Sequence, residues 1–197
     1  AHLELRHTAR QFPDLEARTH KVGMLLRLEH DTTKAWESLD RKVRNHVRKA
    51  QKSQLTTRDG GAELLDRFYG VFAQNMRDLG TPVYSRRFFA EVLAAFPGSA
   101  RVFLVDSGDI TVAGAITLSY RDSIENPWAS SLREYRSLAP NTLMYWRMVE
   151  HAIDTRHSIF DFGRSTPDEG TFHFKKQWGA EPTPLHWEYV LANRGTL

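Results

Sequence analysis

The chain contains no cysteine. Disulfides, thiolate metal sites and a cysteine nucleophile are therefore excluded, and the composition suits a reducing cytoplasm. No apolar run reaches the roughly 18 residues of a spanning helix, and no secretory h-region is visible. The nine histidines are scattered without ligand spacing, so no metal site is expected. The phosphate-binding and nucleophile motifs of other enzyme classes are missing too: there is no Walker loop, no G-x-G-x-x-G, no G-x-S-x-G elbow and no H-E-x-x-H.

What is present is ordinary in amount and informative in placement. At 197 residues, 41% hydrophobic and 26% charged, the chain suits one globular domain with a real core. The formal charge of +3 is mild, but six cations fall between Arg41 and Lys52 with no acid among them. Clustered Lys and Arg repel each other unless a polyanion relieves them, so this run reads either as a solvated helix face or as an anion-binding surface. Arg44 and Arg48 are its central candidates.

Leu3–His7 and Val22–Leu28 read as strands. A single helix is expected from Asp31 or Thr32, with Trp36, Leu39, Val43, Val47 and Ala50 as its apolar stripe. Gly60-Gly61 breaks the chain before a second helix around Phe68 and Phe72. A third helix runs from Arg86 to Ala95 and stops at Pro97-Gly98. Period-two patterning then predicts a hairpin about Asp106–Asp109. A further strand, about Glu125–Ser131, holds Pro127, which marks an edge or a bulge. Asn141 is the expected cap of a mostly buried helix, and a last strand is expected over Leu185–Leu191. The fold class is α/β, with a mixed, mostly antiparallel sheet flanked by helices.

The richest stretch is Phe160 to Gly179. An apolar run with Asp161 inside it ends at Gly163; a polar loop follows, and Gly170 opens a short segment that sets Phe172, Phe174 and Trp178 beside Lys175-Lys176. Lysines amid aromatics just past a strand end are where α/β proteins tend to place ligand chemistry. This stretch, with Lys42–Lys52, Asn75–Tyr84, Pro127–Arg133 and Pro140–Trp146, resembles FemAB-like proteins, in the branch associated with exosortase (PEP-CTERM) and exopolysaccharide systems. The resemblance runs over about the whole chain.

It implies a GNAT (acyl-CoA N-acyltransferase) fold and transfer of an acyl or aminoacyl group to an amine. Residues 1–197 would form a single GNAT-like domain, the C-terminal half of a longer two-half protein. Ala1 in place of Met agrees with a longer parent. The resemblance gives Lys175, which follows Phe174, an electrostatic role toward the reacting carbonyl or a donor phosphate. Asp161 is either the group that orients or deprotonates the amine or a partner for Arg164. Arg77, Arg133 and Arg164 could grip phosphate or carboxylate, and Tyr84 and Trp128 could line the acceptor cleft; each has a structural alternative. Standard GNAT enzymes hold coenzyme A on a glycine-rich turn, and the corresponding Arg136–Asn141 has no glycine. The expected donor is therefore aminoacyl-tRNA or an acyl-CoA, with no tightly bound cofactor. The acceptor is an amine on an envelope or exopolysaccharide precursor. The alternatives are an acetyl-CoA-dependent acetyltransferase and a non-catalytic module that binds RNA or an anionic glycan.

Overall fold

The computed structural model describes residues 2–191. In chain order the elements are β1 (His2–His7), β2 (Glu16–Arg18), β3 (Val22–Arg27), α1 (Thr32–Ser38), α2 (Arg41–Lys52), β4 (Leu55–Gly60), α3 (Leu65–Asp78), α4 (Arg86–Ala95), β5 (Ala100–Ser107), β6 (Ile110–Tyr120), β7 (Ser123–Ser131), α5 (Pro140–Asp154), β8 (Ile159–Ser165), α6 (Gly170–Lys176), β9 (Glu181–Pro184) and β10 (His186–Leu191). Among the described residues no helix is long and apolar enough to cross a membrane. The chain divides into two compact units: residues 27–161, and residues up to 26 together with those from 162 onward.

In the unit of residues 27–161, β4, β5, β6 and β7 form an antiparallel meander in that order. The start of β8 adds in parallel through Ser123–Ile159, Ile124–Phe160 and Glu125–Asp161. Alternation along β5 shows how both faces are covered. Val102 and Leu104 join Leu65, Phe68, Phe72, Phe89 and Leu93 in a cluster under α3 and α4. Phe103, between them in sequence, meets His151 of α5 with ring centroids 5.4 Å apart. Successive strand residues point to opposite faces, so α3 and α4 lie on one face and α5 on the other. Gly114 of β6 is closely packed: a Cβ there would meet the Phe68 and Leu104 side chains at 3.2 Å, and both would have to give way slightly.

The expected helix from Asp31 to Lys52 is two helices. Leu39 is extended, and Asp40 caps α2 by accepting from the Lys42 amide at 2.6 Å. Each short helix thus has its own Asp cap, Asp31 accepting from the Lys34 amide at 2.9 Å. The apolar stripe survives the break, with Ala35, Leu39, Val43, Val47 and Ala50 buried. Asn141 does not cap α5: Ala139, left-handed at φ 59°, precedes the helix, and Pro140 fills the first helical position. A proline there loses nothing, since that amide has no intrahelical acceptor. Pro127 sits at a bulge, where Asn126 and Pro127 together oppose Thr117 as the β6–β7 register shifts.

The other unit pairs β1 with β10 and β10 with β2, and separately β3 with β9. Glu188 of β10 is fully buried and accepts from the Phe12 amide at 2.9 Å and the Gln11 amide at 3.2 Å. Burial alone would raise its pKa, but the two amides, with His7 and Arg10 nearby, outweigh it and hold the carboxyl below its usual value.

Candidate active site

The residues singled out in the sequence fall into three local groups. The first is the strand-to-helix segment β8–α6. Lys175 lies on α6 and is only 8% exposed. Its ammonium donates to the carbonyls of Arg164 at 2.8 Å and Gly163 at 3.2 Å. A lysine is rarely buried unless its charge is engaged, and two strand-end carbonyls engage it here. Gly163, at φ 71°, adopts the left-handed backbone that favours glycine, and β8 continues past it to Ser165. Phe174 is half-buried against Trp178 with centroids 6.2 Å apart, and Trp178 in turn meets Phe162 at 6.0 Å. Lys176, next along, is exposed. Arg164 is exposed too, with its guanidinium 5.4 Å from the Trp187 ring centroid. Asp161 lies on β8 at the register position of Glu125 and is half-buried.

The second group surrounds the bulge on β7. Trp128 makes edge-on contacts with Phe88 at 5.6 Å and Phe89 at 5.4 Å. Tyr84, 55% exposed, stacks on Phe88 at 4.8 Å. Asn75 of α3 donates to buried Ser130 of β7 at 3.1 Å. Beside the bulge, Asn126 is buried and donates to the Ile116 and Trp128 carbonyls, both at 3.1 Å. This Asn126 anchor escaped sequence reasoning; its position beside Pro127 was the available signal, since a bulge leaves backbone carbonyls to be satisfied by side chains. Arg77, at the end of α3, and Arg133, in the 3-10 turn Arg133–Leu138, are both exposed.

The third group is the basic face of α2. Arg48 lies 5.4 Å over the Trp36 ring, in a cleft shared with Trp146 and Glu150. Burial raises the pKa of Glu150, with Arg147 opposing. Arg44 is half-buried, its Nε buried without a hydrogen-bond partner among the described residues. No salt bridge among the described residues involves Arg41, Lys42, Arg44, Arg48, Lys49 or Lys52. Tyr145 is a core residue: it is buried edge-on to Phe160, and burial pushes its pKa well up.

The fold just described is that of a known enzyme family. Residues 37–176, more than half of the chain, match the family model of the acetyltransferase (GNAT) domain. The chain belongs to this family. The GNAT fold accounts for the mixed, mostly antiparallel sheet. Among solved structures, FemX superposes with a TM-score of 0.75 at 17% identity, covering 86% of this chain and 61% of FemX. A C-terminal domain described as that of a lysylphosphatidylglycerol synthetase from Agrobacterium fabrum gives 0.69 at 10% identity, covering 90% of this chain and 62% of that one. A protein described as a GNAT-family acetyltransferase from Novosphingobium aromaticivorans gives 0.56 at 9% identity, with 95% and 73% covered. At such identities these likenesses concern the fold. The GNAT chain thus spans about three fifths of the length of the first two. No curated protein sequence matches it. Among the described residues no group of three or more His, Asp or Glu could hold a metal ion.

Proposed function

We propose that this GNAT domain moves an acyl or aminoacyl group onto an amine of a cell-envelope or exopolysaccharide precursor, as FemAB-like proteins of the exosortase-associated branch are taken to do. The same reading makes the chain the C-terminal half of a two-half protein acting in the cytoplasm, where its donor is made. One observation carries it: a lysine directly after a phenylalanine is buried, with its side-chain nitrogen donating to the carbonyls of Gly163 and Arg164.

In the reaction the amine nitrogen attacks the donor carbonyl carbon, and the carbonyl oxygen takes up negative charge. Collapse of the tetrahedral intermediate expels a thiolate from acyl-CoA or a ribose hydroxylate from aminoacyl-tRNA, and the nitrogen gives up a proton. A preorganised cation aimed where that charge develops lowers the barrier, because it needs no reorganisation at the moment of reaction. Lys175 fills that role toward the carbonyl oxygen or a donor phosphate, and Asp161 accepts or orients the amine proton. Trp128 and Tyr84 line the acceptor side, with Arg77 and Arg133 as charge anchors and Arg44 and Arg48 contacting a polyanionic donor.

The donor is the finer point. GNAT enzymes of the acetyltransferase type use acyl-CoA, and their pyrophosphate rests on backbone amides before a helix. Here that turn carries Ala139 in the left-handed conformation and Pro140 without an N–H, so one amide is lost from the cradle. This favours aminoacyl-tRNA over acyl-CoA. The test is transfer of radiolabelled acyl groups from acetyl-CoA and from aminoacyl-tRNA to amino-sugar and diamino-acid acceptors. Turnover from aminoacyl-tRNA alone is the expected result; turnover from acetyl-CoA alone would overturn the donor assignment, and turnover from neither would overturn the function.

A further inference from the structure

A cavity of about 350 Å³ opens in the unit that carries Lys175, lined in part by Lys21, Arg164, Ser165, Thr166 and Trp187. Its cations come from separate segments: Lys21 immediately precedes β3, and Arg164 lies near the end of β8. Lys21 donates to the Thr166 hydroxyl, which turns its ammonium toward the cavity wall. The Arg164 guanidinium is held over the face of Trp187, as is that of Arg6, 4.3 Å from the ring centroid. Two further groups have no use in the fold. Ser165 is 4% exposed, and its Oγ has no hydrogen-bond partner among the described residues. The Trp187 Nε1 is likewise buried without one. A buried hydroxyl or indole N–H without a partner costs stability, so its persistence at the wall of a cationic cavity points to a ligand that satisfies it.

We propose that this cavity is a phosphoryl-binding site that takes a phosphate monoester. The ammonium of Lys21 and the guanidinium of Arg164 neutralise the dianion, and Ser165 and Thr166 supply hydroxyl donors to its oxygens. A phosphoryl dianion brings three terminal oxygens and two charges to these two cations and two hydroxyls, whereas a carboxylate brings two oxygens and one charge, and so matches the site less well. The carboxylate of Glu169, exposed at the same cavity, limits the negative charge the site accepts and disfavours di- and triphosphates. Lys175 is not among the residues that line it, and its test needs no acyl donor, so failure here and failure of the transfer reading are distinguishable.

The experiment is a calorimetric titration of the chain with phenyl phosphate, inorganic pyrophosphate and benzoate, at fixed ionic strength. Saturable binding of phenyl phosphate is expected, about tenfold tighter than either other probe. Arg164→Gln and Lys21→Gln should each weaken it about tenfold, and Glu169→Gln should strengthen it. Ser165→Ala removes only the unpartnered hydroxyl, so it should weaken phosphate binding about tenfold while leaving the thermal midpoint unchanged or higher. Arg87→Gln, at an exposed arginine of α4 with no part in the site, should change nothing. Absence of saturable binding, equal binding of benzoate, full affinity in Ser165→Ala, or an equal loss in Arg87→Gln would each overturn the proposal.

Discussion

Two sets of arginines in the unit of residues 27–161 show how one residue type serves two ends. On the sheet, Asp106 is wholly buried and gathers Arg58 at 2.6 Å, Arg67 at 3.7 Å and the Thr111 hydroxyl at 2.7 Å. Asp59 likewise takes Arg101 at 2.6 Å and Arg147 at 3.1 Å. On α2, Arg41, Arg44 and Arg48 have no acid partner among the described residues. The first set ties β4 to β5, α3 and α5, so its charges are spent inside the fold. The second leaves its field for something outside. Charge count cannot separate them; only the buried aspartates do.

Breaking the first set should cost the most. Asp106→Ala leaves two guanidiniums and a hydroxyl without their acceptor, and urea titration should show a loss of about 3 kcal/mol, since removing one member of a buried charge cluster strands the rest. Full stability in that variant would mean that water replaces the carboxylate. Gly114→Ala, which forces a methyl against Phe68 and Leu104, should cost about 1–3 kcal/mol in the same measurement.

The Asp59 cluster adds a pH signature. Burial would raise this carboxyl, but the hydrogen bonds from Arg101 and Arg147 outweigh it and hold its pKa below the ordinary aspartate value. A depressed carboxyl contributes stability above its unfolded pKa and loses it as pH falls through the folded value. The difference in unfolding free energy between the parent and Asp59→Asn should therefore be constant near neutrality and shrink below about pH 4. A difference that does not change with acid would remove the ion pairs from the account.

For the second set the expectation is reversed. Arg48→Glu with Lys52→Glu should change stability by about 0.5 kcal/mol or less, yet weaken tRNA binding about tenfold or more and flatten its dependence on salt. Binding unchanged by both substitutions would make α2 a solvated face. Arg44 is less suited to that test because its Nε is already buried. The last is Gln54→Gly. Gln54 follows α2 at φ 58°, a left-handed backbone that costs a side chain energy and glycine none, so the substitution should stabilise by up to about 1 kcal/mol in the urea titration.

The legible parts of the sequence were those with local causes. Helix α4 follows its pattern from Arg86 to Ala95, and the Asp106–Asp109 hairpin turns at Gly108, φ 58°. The missed elements, β2, β4 and β9, are short or polar: β4 reads Leu-Thr-Thr-Arg-Asp-Gly and is a strand because β5 lies beside it. The break at Leu39 was hidden because the apolar spacing runs on through it. In the β8–α6 segment, residue types marked Lys175 and Gly163. The carbonyls that hold the ammonium were not legible, since they depend on where a strand end meets a helix. Asp59 and Asp106 left no trace either, being single acids whose partners lie tens of residues away along the chain.

Lys175 decides the central claim, and its burial complicates the obvious variant. Lys175→Ala removes a donor from two carbonyls, at about 1–3 kcal/mol each, so lost activity could mean lost structure. The direct measurement is therefore kcat for acyl transfer in Lys175→Arg and Lys175→Met, each set against its own thermal midpoint. The account predicts that Lys175→Arg, which keeps a charge, retains measurable turnover, while Lys175→Met loses about a hundredfold or more at a temperature where both are folded. Equal turnover in the two folded variants would make Lys175 a clasp between β8 and α6, and the electrostatic role assigned to it would be wrong.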